Sequence, residues 1–136
     1  MEFNLHSGLK GEKSDTVTDQ NTAIHYGSGG AAVYATPAMV GLMENACLAA
    51  VDPLLPEGFA TVGVSLNIRH LAATPIGMTV RAEAELVEIS KKRLTFTVQA
   101  FDDQEKIGEG SHERYIIELQ KFLDKTEEKS GFTHQS

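Results

Sequence analysis

Hydrophobic residues along this chain repeat with two periods. From Ala38 to Val51 the sequence A-M-V-G-L-M-E-N-A-C-L-A-A-V is apolar almost without interruption, and Glu44 is its only charge. A run that long reads as a helix rather than a strand. Thr36 is a good N-cap type and Pro37 suits the first helical position. Asp52-Pro53 ends the run. The predicted helix therefore covers about residues 36–51. A helix apolar nearly all round is built for burial.

Beyond the Pro56-Glu57-Gly58 turn the period changes to two, the signature of strands. In residues 61–70, Val62, Val64, Leu66, Ile68 and His70 share one face, which predicts an inward row ending in an imidazole. Met78, Val80, Ala82, Ala84 and Leu86 form the next row, and the pattern slips at Leu86-Val87, as at a bulge. Ser90-Lys91-Lys92 reads as a hairpin turn. Leu94, Phe96, Val98 and Ala100 form a third row, Asp102-Asp103-Gln104 turns again, and residues 107–119 make the last strand. Upstream, residues 3–18 hold one short strand, and residues 19–30 read as a loop ending in Gly27-Ser28-Gly29-Gly30.

One early strand, one long apolar helix and about four antiparallel strands predict an α+β fold, with an antiparallel sheet wrapped around the central helix. The expected domain covers residues 1–122. The polar tail over residues 123–136 is expected to fray, with the fraying beginning near Lys121. One small sheet cannot cover a helix apolar on every side, so a homodimer is expected, or a tetramer built from it.

Composition narrows the function. The chain has 136 residues and a formal net charge of −7. An acidic chain without a basic stripe argues against nucleic acid and against docking on anionic lipid. No apolar run approaches the roughly 20 residues a bilayer requires. The start, M-E-F-N-L-H-S, lacks a basic region followed by an apolar run, so no secretory signal is expected. The lone Cys47 reads as a small buried hydrophobe and fits a reducing cytoplasm. The five histidines are scattered without ligand spacing, which argues against a metal site. The glycine-rich segment lacks the Lys-Ser/Thr sequel of a phosphate loop.

Three polar groups are placed to act together. Thr36 stands at the helix N-terminus, where free N–H groups and the dipole favour a negative oxygen. Glu44 lies about two turns along, and His70 ends a strand expected to face the helix. Hydroxyl, carboxylate and imidazole suit acyl transfer. Each also has a plain structural alternative: Thr36 as a simple cap, Glu44 on the wet edge beside Asn45, His70 bonded to a backbone carbonyl. His112-Glu113-Arg114 puts three ionisable groups in one strand. Arg114 there suits an acidic substrate, Glu44 or a salt bridge.

Three blocks together resemble the fluoroacetyl-CoA thioesterase family of hotdog-fold proteins. They are A-T-P-A-M-V-G-L-M-E-N-A-C (35–47), H-L-A-A-T-P-I-G-M-T-V (70–80) and I-G-E-G-S-H-E-R (107–114). The similarity spans about residues 33–122. It implies a dimeric hotdog protein that hydrolyses a small acyl thioester to free acid and CoA. No metal or redox cofactor is implied, and coenzyme A enters only as part of the substrate. The family's catalytic threonine, glutamate and histidine fall on Thr36, Glu44 and His70. Its acyl-pocket arginine falls on Arg114 and its backbone-binding glycine on Gly63. The fluoro-selective member closes its pocket with an apolar, aromatic lid. Here His25-Tyr26-Gly27-Ser28-Gly29-Gly30 occupies that segment, which points to a broader or different short acyl group. Other readings on the same fold are an acyl-CoA binding module, an enoyl-CoA hydratase or dehydratase, and a purely structural dimer with a trapped carboxylate.

Overall fold

The computed structural model describes residues 3–131. In chain order the elements are β1 (Lys10–Thr16), α1 (Ala23–Tyr26), α2 (Thr36–Val51), a 3-10 turn (Asp52–Leu54), β2 (Phe59–His70), β3 (Thr79–Ser90), β4 (Arg93–Phe101), β5 (Lys106–Glu118) and α3 (Leu119–Glu128). The five strands form one antiparallel sheet in the order β1-β3-β4-β5-β2. It curls around α2, which packs chiefly on β1 and β3.

Period-two patterning accounts for the core. Val80, Ala82, Ala84 and Leu86 of β3 and Leu94, Phe96, Val98 and Ala100 of β4 are all buried against Met39, Met43, Ala46, Cys47 and Val51 of α2. The slip after Leu86 is a register shift between Leu86 and Glu88. Lys91, at the hairpin tip, takes a left-handed conformation with φ 59. Small residues let helix and sheet touch: a Cβ on Gly11 of β1 would collide with the Ala46 carbonyl and come within 2.8 Å of the Ala50 nitrogen.

Several expectations change. Ala35, not Thr36, is the N-cap of α2, and Thr36 is its first helical residue. Ala35 is still extended, with ψ 142, and its N–H donates to the Asn21 carbonyl outside the helix. The helix is not covered all round: Pro37, Gly41, Asn45 and Leu48 lie exposed on one face. In β2 the inward row breaks. A register shift between Gly63 and Ser65 changes the parity. Thr61 and Gly63, opposite Ile116 and Arg114, take the inward row ahead of it, and Leu66, Ile68 and His70 follow after it, while Val62 lies opposite exposed Tyr115. Val64 at the shift and Leu66 beyond it are 55% and 46% exposed. The loop expected over residues 19–30 contains the short α1, capped by Thr22 and closed by Gly27 in the left-handed region. The segment expected to fray from Lys121 is helical to Glu128. Leu119, Phe122 and Leu123 line one face of α3, while a Gln120–Asp124 hydrogen bond and a Lys121–Glu118 ion pair support the other. Among the described residues no helix is long and apolar enough to cross a membrane.

Candidate active site

With Ala35 as cap, the Thr36 hydroxyl is free to bond elsewhere. Its Oγ1 lies 2.7 Å from His70 Nδ1. The β2 strand carries His70 to this point at its last residue, beside the N-terminus of α2. No side chain caps α2, so first-turn N–H groups remain without a side-chain partner. His70 Nε2 is buried and has no hydrogen-bond partner among the described residues. Burial pushes the His70 pKa below its ordinary value, against a weaker upward pull from the Ala72 backbone. The ring and the Thr36 hydroxyl share one hydrogen bond at Nδ1, in which either group can donate. Beside this pair opens a pocket of about 370 Å³, lined by Ala23, Val33, Tyr34, Thr36, His70 and Ala72 among others. Tyr34 is held by its hydroxyl donating to Asp15 at 3.2 Å and its N–H donating to the Thr74 carbonyl.

Glu44 lies about two helical turns further along α2. Its side chain is 37% exposed, on the border between the packed and open faces of the helix, rather than fully buried. Oε2 lies 4.0 Å from Arg114 Nη1 and 4.0 Å from His112 Nε2. Among the described residues no hydrogen bond or ion pair joins Glu44 to Thr36 or His70 in the protomer. The three residues singled out by sequence thus form two groups along one helix: Thr36 with His70, and Glu44 with Arg114.

Gly63 faces the second group. A Cβ there would sit 2.9 Å from Glu44 Oε2 and 3.0 Å from His112 Cε1, so this position clears space for the carboxylate. His112 and Arg114, at i and i+2 of β5, both point inward and are 1% and 5% exposed. His112 Nδ1 lies 2.8 Å from the Ser65 carbonyl, and Arg114 Nη1 lies 3.1 Å from His112 Nε2. A carbonyl only accepts and a guanidinium only donates, so His112 carries its proton on Nδ1 and stays neutral. Burial also pushes the His112 pKa down, with Arg114 adding to the effect. Arg114 is therefore the cation opposite Glu44. Arg114 in turn donates from Nε to Thr61 Oγ1 at 2.7 Å and from Nη2 to the Thr61 carbonyl at 2.9 Å.

His112 and Thr61 were not among the expected site residues. The two-residue spacing of His112 and Arg114 was the available signal, since it puts both on one strand face. Nothing local marks Thr61. Cys47 lies fully buried behind Glu44, and burial raises its thiol to about 12, so it is no nucleophile. No group of three His, Cys, Asp or Glu side chains is placed to hold a metal ion among the described residues.

Comparison with known proteins agrees with this architecture. The family model described as fluoroacetyl-CoA-specific thioesterase matches residues 17–120. The chain is 45% identical over 98 residues to the fluoroacetyl-CoA thioesterase of Streptantibioticus cattleyicolor, covering 72% of this chain and 70% of that protein. A solved structure of fluoroacetyl-CoA thioesterase FlK superposes with a TM-score of 0.87 at 37% identity, covering 93% of this chain and 98% of that one. A Thermus thermophilus member of the thioesterase superfamily gives a TM-score of 0.86 at 28% identity, covering 93% of each chain. A hot-dog-like protein from Thermanaerovibrio acidaminovorans shares the fold, with a TM-score of 0.82 at 22% identity, over 90% of this chain and 91% of that one.

Proposed function

The chain belongs to the fluoroacetyl-CoA-specific thioesterase family, and from that membership we propose that it hydrolyses a small acyl-CoA thioester to free acid and CoA. The observation that carries this reading is the 2.7 Å Thr36–His70 contact at the uncapped start of α2, beside a pocket of about 370 Å³. A thioester carbonyl seated there meets first-turn N–H groups and the positive end of the helix dipole, which stabilise the developing oxyanion. Thr36 orients the substrate. His70, with a neutral ring, assists the leaving thiolate by hydrogen bonding, and the proton that ends on the thiol is the one released by the attacking water.

Glu44 acts as general base toward water, or as nucleophile through an acyl-anhydride that water then opens. Both routes need an ionised carboxylate at the carbonyl carbon, and Arg114 holds the charge opposite it. Since Glu44 lies about two turns from Thr36 within one protomer, the carboxylate and the Thr36–His70 pair reach one carbonyl where two protomers meet. Gly63 and Arg114 form the substrate-facing wall on this side. A point variant of the relative FlK was crystallised in complex with fluoroacetate and CoA. In this chain a groove of about 350 Å³ runs along the open face of α2, past Tyr26, Pro37, Gly41 and Asn45, and suits the CoA arm. The open lid segment, where a Cβ on Gly30 would meet nothing within 4 Å, favours acyl groups broader than fluoroacetyl.

The functional unit is a homodimer. Strand β2 is a sheet edge whose Val64 and Leu66 lie exposed, an apolar surface for a second copy of the chain. A hydrolysis screen of acetyl-, fluoroacetyl-, short-chain and aryl-CoA, read by release of free thiol, tests the activity. Release from at least one small acyl thioester is expected. Binding without release, or hydration of an enoyl-CoA without hydrolysis, would overturn the assignment.

A further inference from the structure

Arg114 is buried, yet among the described residues it makes no ion pair shorter than 4.0 Å, so its orientation is set by its neutral neighbours. Thr61 is central among them. Its Oγ1 lies 2.5 Å from Asp52 Oδ1, and its N–H donates to Asp52 Oδ2 at 3.2 Å. A carboxylate only accepts, so the single Thr61 hydroxyl proton goes to Asp52 and the hydroxyl oxygen is left to accept from Arg114 Nε. Every hydrogen-bond direction in this chain of contacts is thereby fixed. Asp52 is also the C-cap of α2, so the chain ties the end of the helix carrying Glu44 to the strands carrying Arg114. On the other side, the Ser65 carbonyl fixes His112, whose ring stacks on Phe96 at 6.4 Å and whose Nε2 takes a hydrogen bond from Arg114 Nη1. The guanidinium is gripped on Nε, Nη2 and Nη1, and its Nη1 corner faces Glu44 Oε2.

We propose that Thr61, anchored by Asp52, and His112, anchored by the Ser65 carbonyl, are positioning residues that brace Arg114 and through it hold the Glu44 carboxylate in its reacting orientation. The proposal rests on the hydrolase reading given above and adds residues that touch neither the Thr36–His70 pair nor its pocket. It predicts a larger effect on turnover than on substrate capture, because the brace sets the direction of Arg114 toward Glu44 and lies outside the CoA groove.

Thr61→Val keeps the side-chain shape and removes the hydroxyl. It is expected to lower kcat between about 10- and 100-fold, the scale of a small misplacement of a catalytic group, while KM changes little. Thr61→Ser restores most of the activity. Asp52→Asn, at the half-buried helix end, lowers kcat in the same direction and serves where Thr61→Val folds poorly. A readout independent of hydrolysis is the Arg114 Nε–H resonance in nitrogen-15-labelled protein. It is expected to be resolved and slow to exchange in the wild type, to move in Glu44→Gln, and to broaden or vanish in Thr61→Val. Wild-type kcat in both Thr61→Val and Asp52→Asn, or an Arg114 signal indifferent to Thr61→Val and Glu44→Gln, would overturn the brace. If the wild type hydrolyses no acyl-CoA, the hydrolase reading fails by itself and the arginine resonance alone decides the brace.

Discussion

The Thr36 hydroxyl and the His70 imidazole, separated by 34 positions in the chain, meet at 2.7 Å where strand β2 ends beside the start of α2. The contact exists because Ala35 takes the capping position and leaves Thr36 without a backbone duty. Its hydroxyl is therefore dispensable for the helix and available for chemistry.

Thr36→Val removes this hydroxyl from an exposed position that caps nothing. Activity toward the best acyl-CoA is expected to fall by about 10²-fold, with the melting temperature close to wild type. Thiol release and thermal melting on the same preparation check both halves. A large loss of stability would show that Thr36 serves the helix instead.

Glu44→Gln keeps the shape of the carboxylate and deletes its charge. Turnover is expected to drop by about 10²-fold or more, since neither base nor nucleophile remains. Single turnover of the wild type in oxygen-18 water separates the two routes. Label appears in Glu44 only if it attacks directly. Near wild-type hydrolysis by the glutamine variant would remove Glu44 from the mechanism.

Gly63→Ala places a methyl group 2.9 Å from Glu44 Oε2. The carboxylate must swing away, because the methyl has no freedom to yield. A fall in kcat of about tenfold or more is expected, with the fold intact by circular dichroism. Unchanged kcat would mean that the reacting carboxylate sits elsewhere.

Acidification should weaken the protein before its carboxylates titrate. Burial pushes both His70 and His112 below the ordinary histidine value. The unfolded chain therefore takes up protons, at about pH 6.5, that the folded chain still rejects. Stability declines as pH falls through that value and is fully present above it. Melting temperatures measured from about pH 8 to about pH 5.5 are expected to fall on the acid side, and His70→Gln to flatten the slope. A flat wild-type profile would contradict the burial of both rings.

Leu66→Glu puts a charge on the exposed edge of the sheet, where the proposed dimer would bury it. Sedimentation is expected to show a dimeric wild type and a monomeric variant. A monomeric wild type at assay concentrations would overturn the dimer.

Much of the fold is legible in the sequence. The limits of α2, the rows from Val80 to Leu86 and from Leu94 to Ala100, and the slip at Val87 all follow from periodicity, because each of those elements packs one continuous face on the core. Strand β2 departs from its pattern where it matters: a register shift between Gly63 and Ser65 puts Thr61 and Gly63, rather than Val62, on the inward row ahead of it. Alternation cannot show such a shift when both faces carry acceptable residues. Residues 119–128 hide their helix for a related reason. Charge dominates the composition, and the apolar stripe of Leu119, Phe122 and Leu123 is short.

The amino-acid order by itself determined that one apolar helix would be wrapped by an antiparallel sheet, and that a lone carboxylate would ride on that helix. Those facts are local, fixed by the period of apolar side chains and the residues that break it. Tertiary structure alone decided the partners: Thr36 with His70, and Glu44 with Arg114, itself gripped by Thr61 and His112. These pairings join positions far apart in the chain through strand register and helix placement, and no local pattern encodes a distance between residues that only the folded sheet brings together.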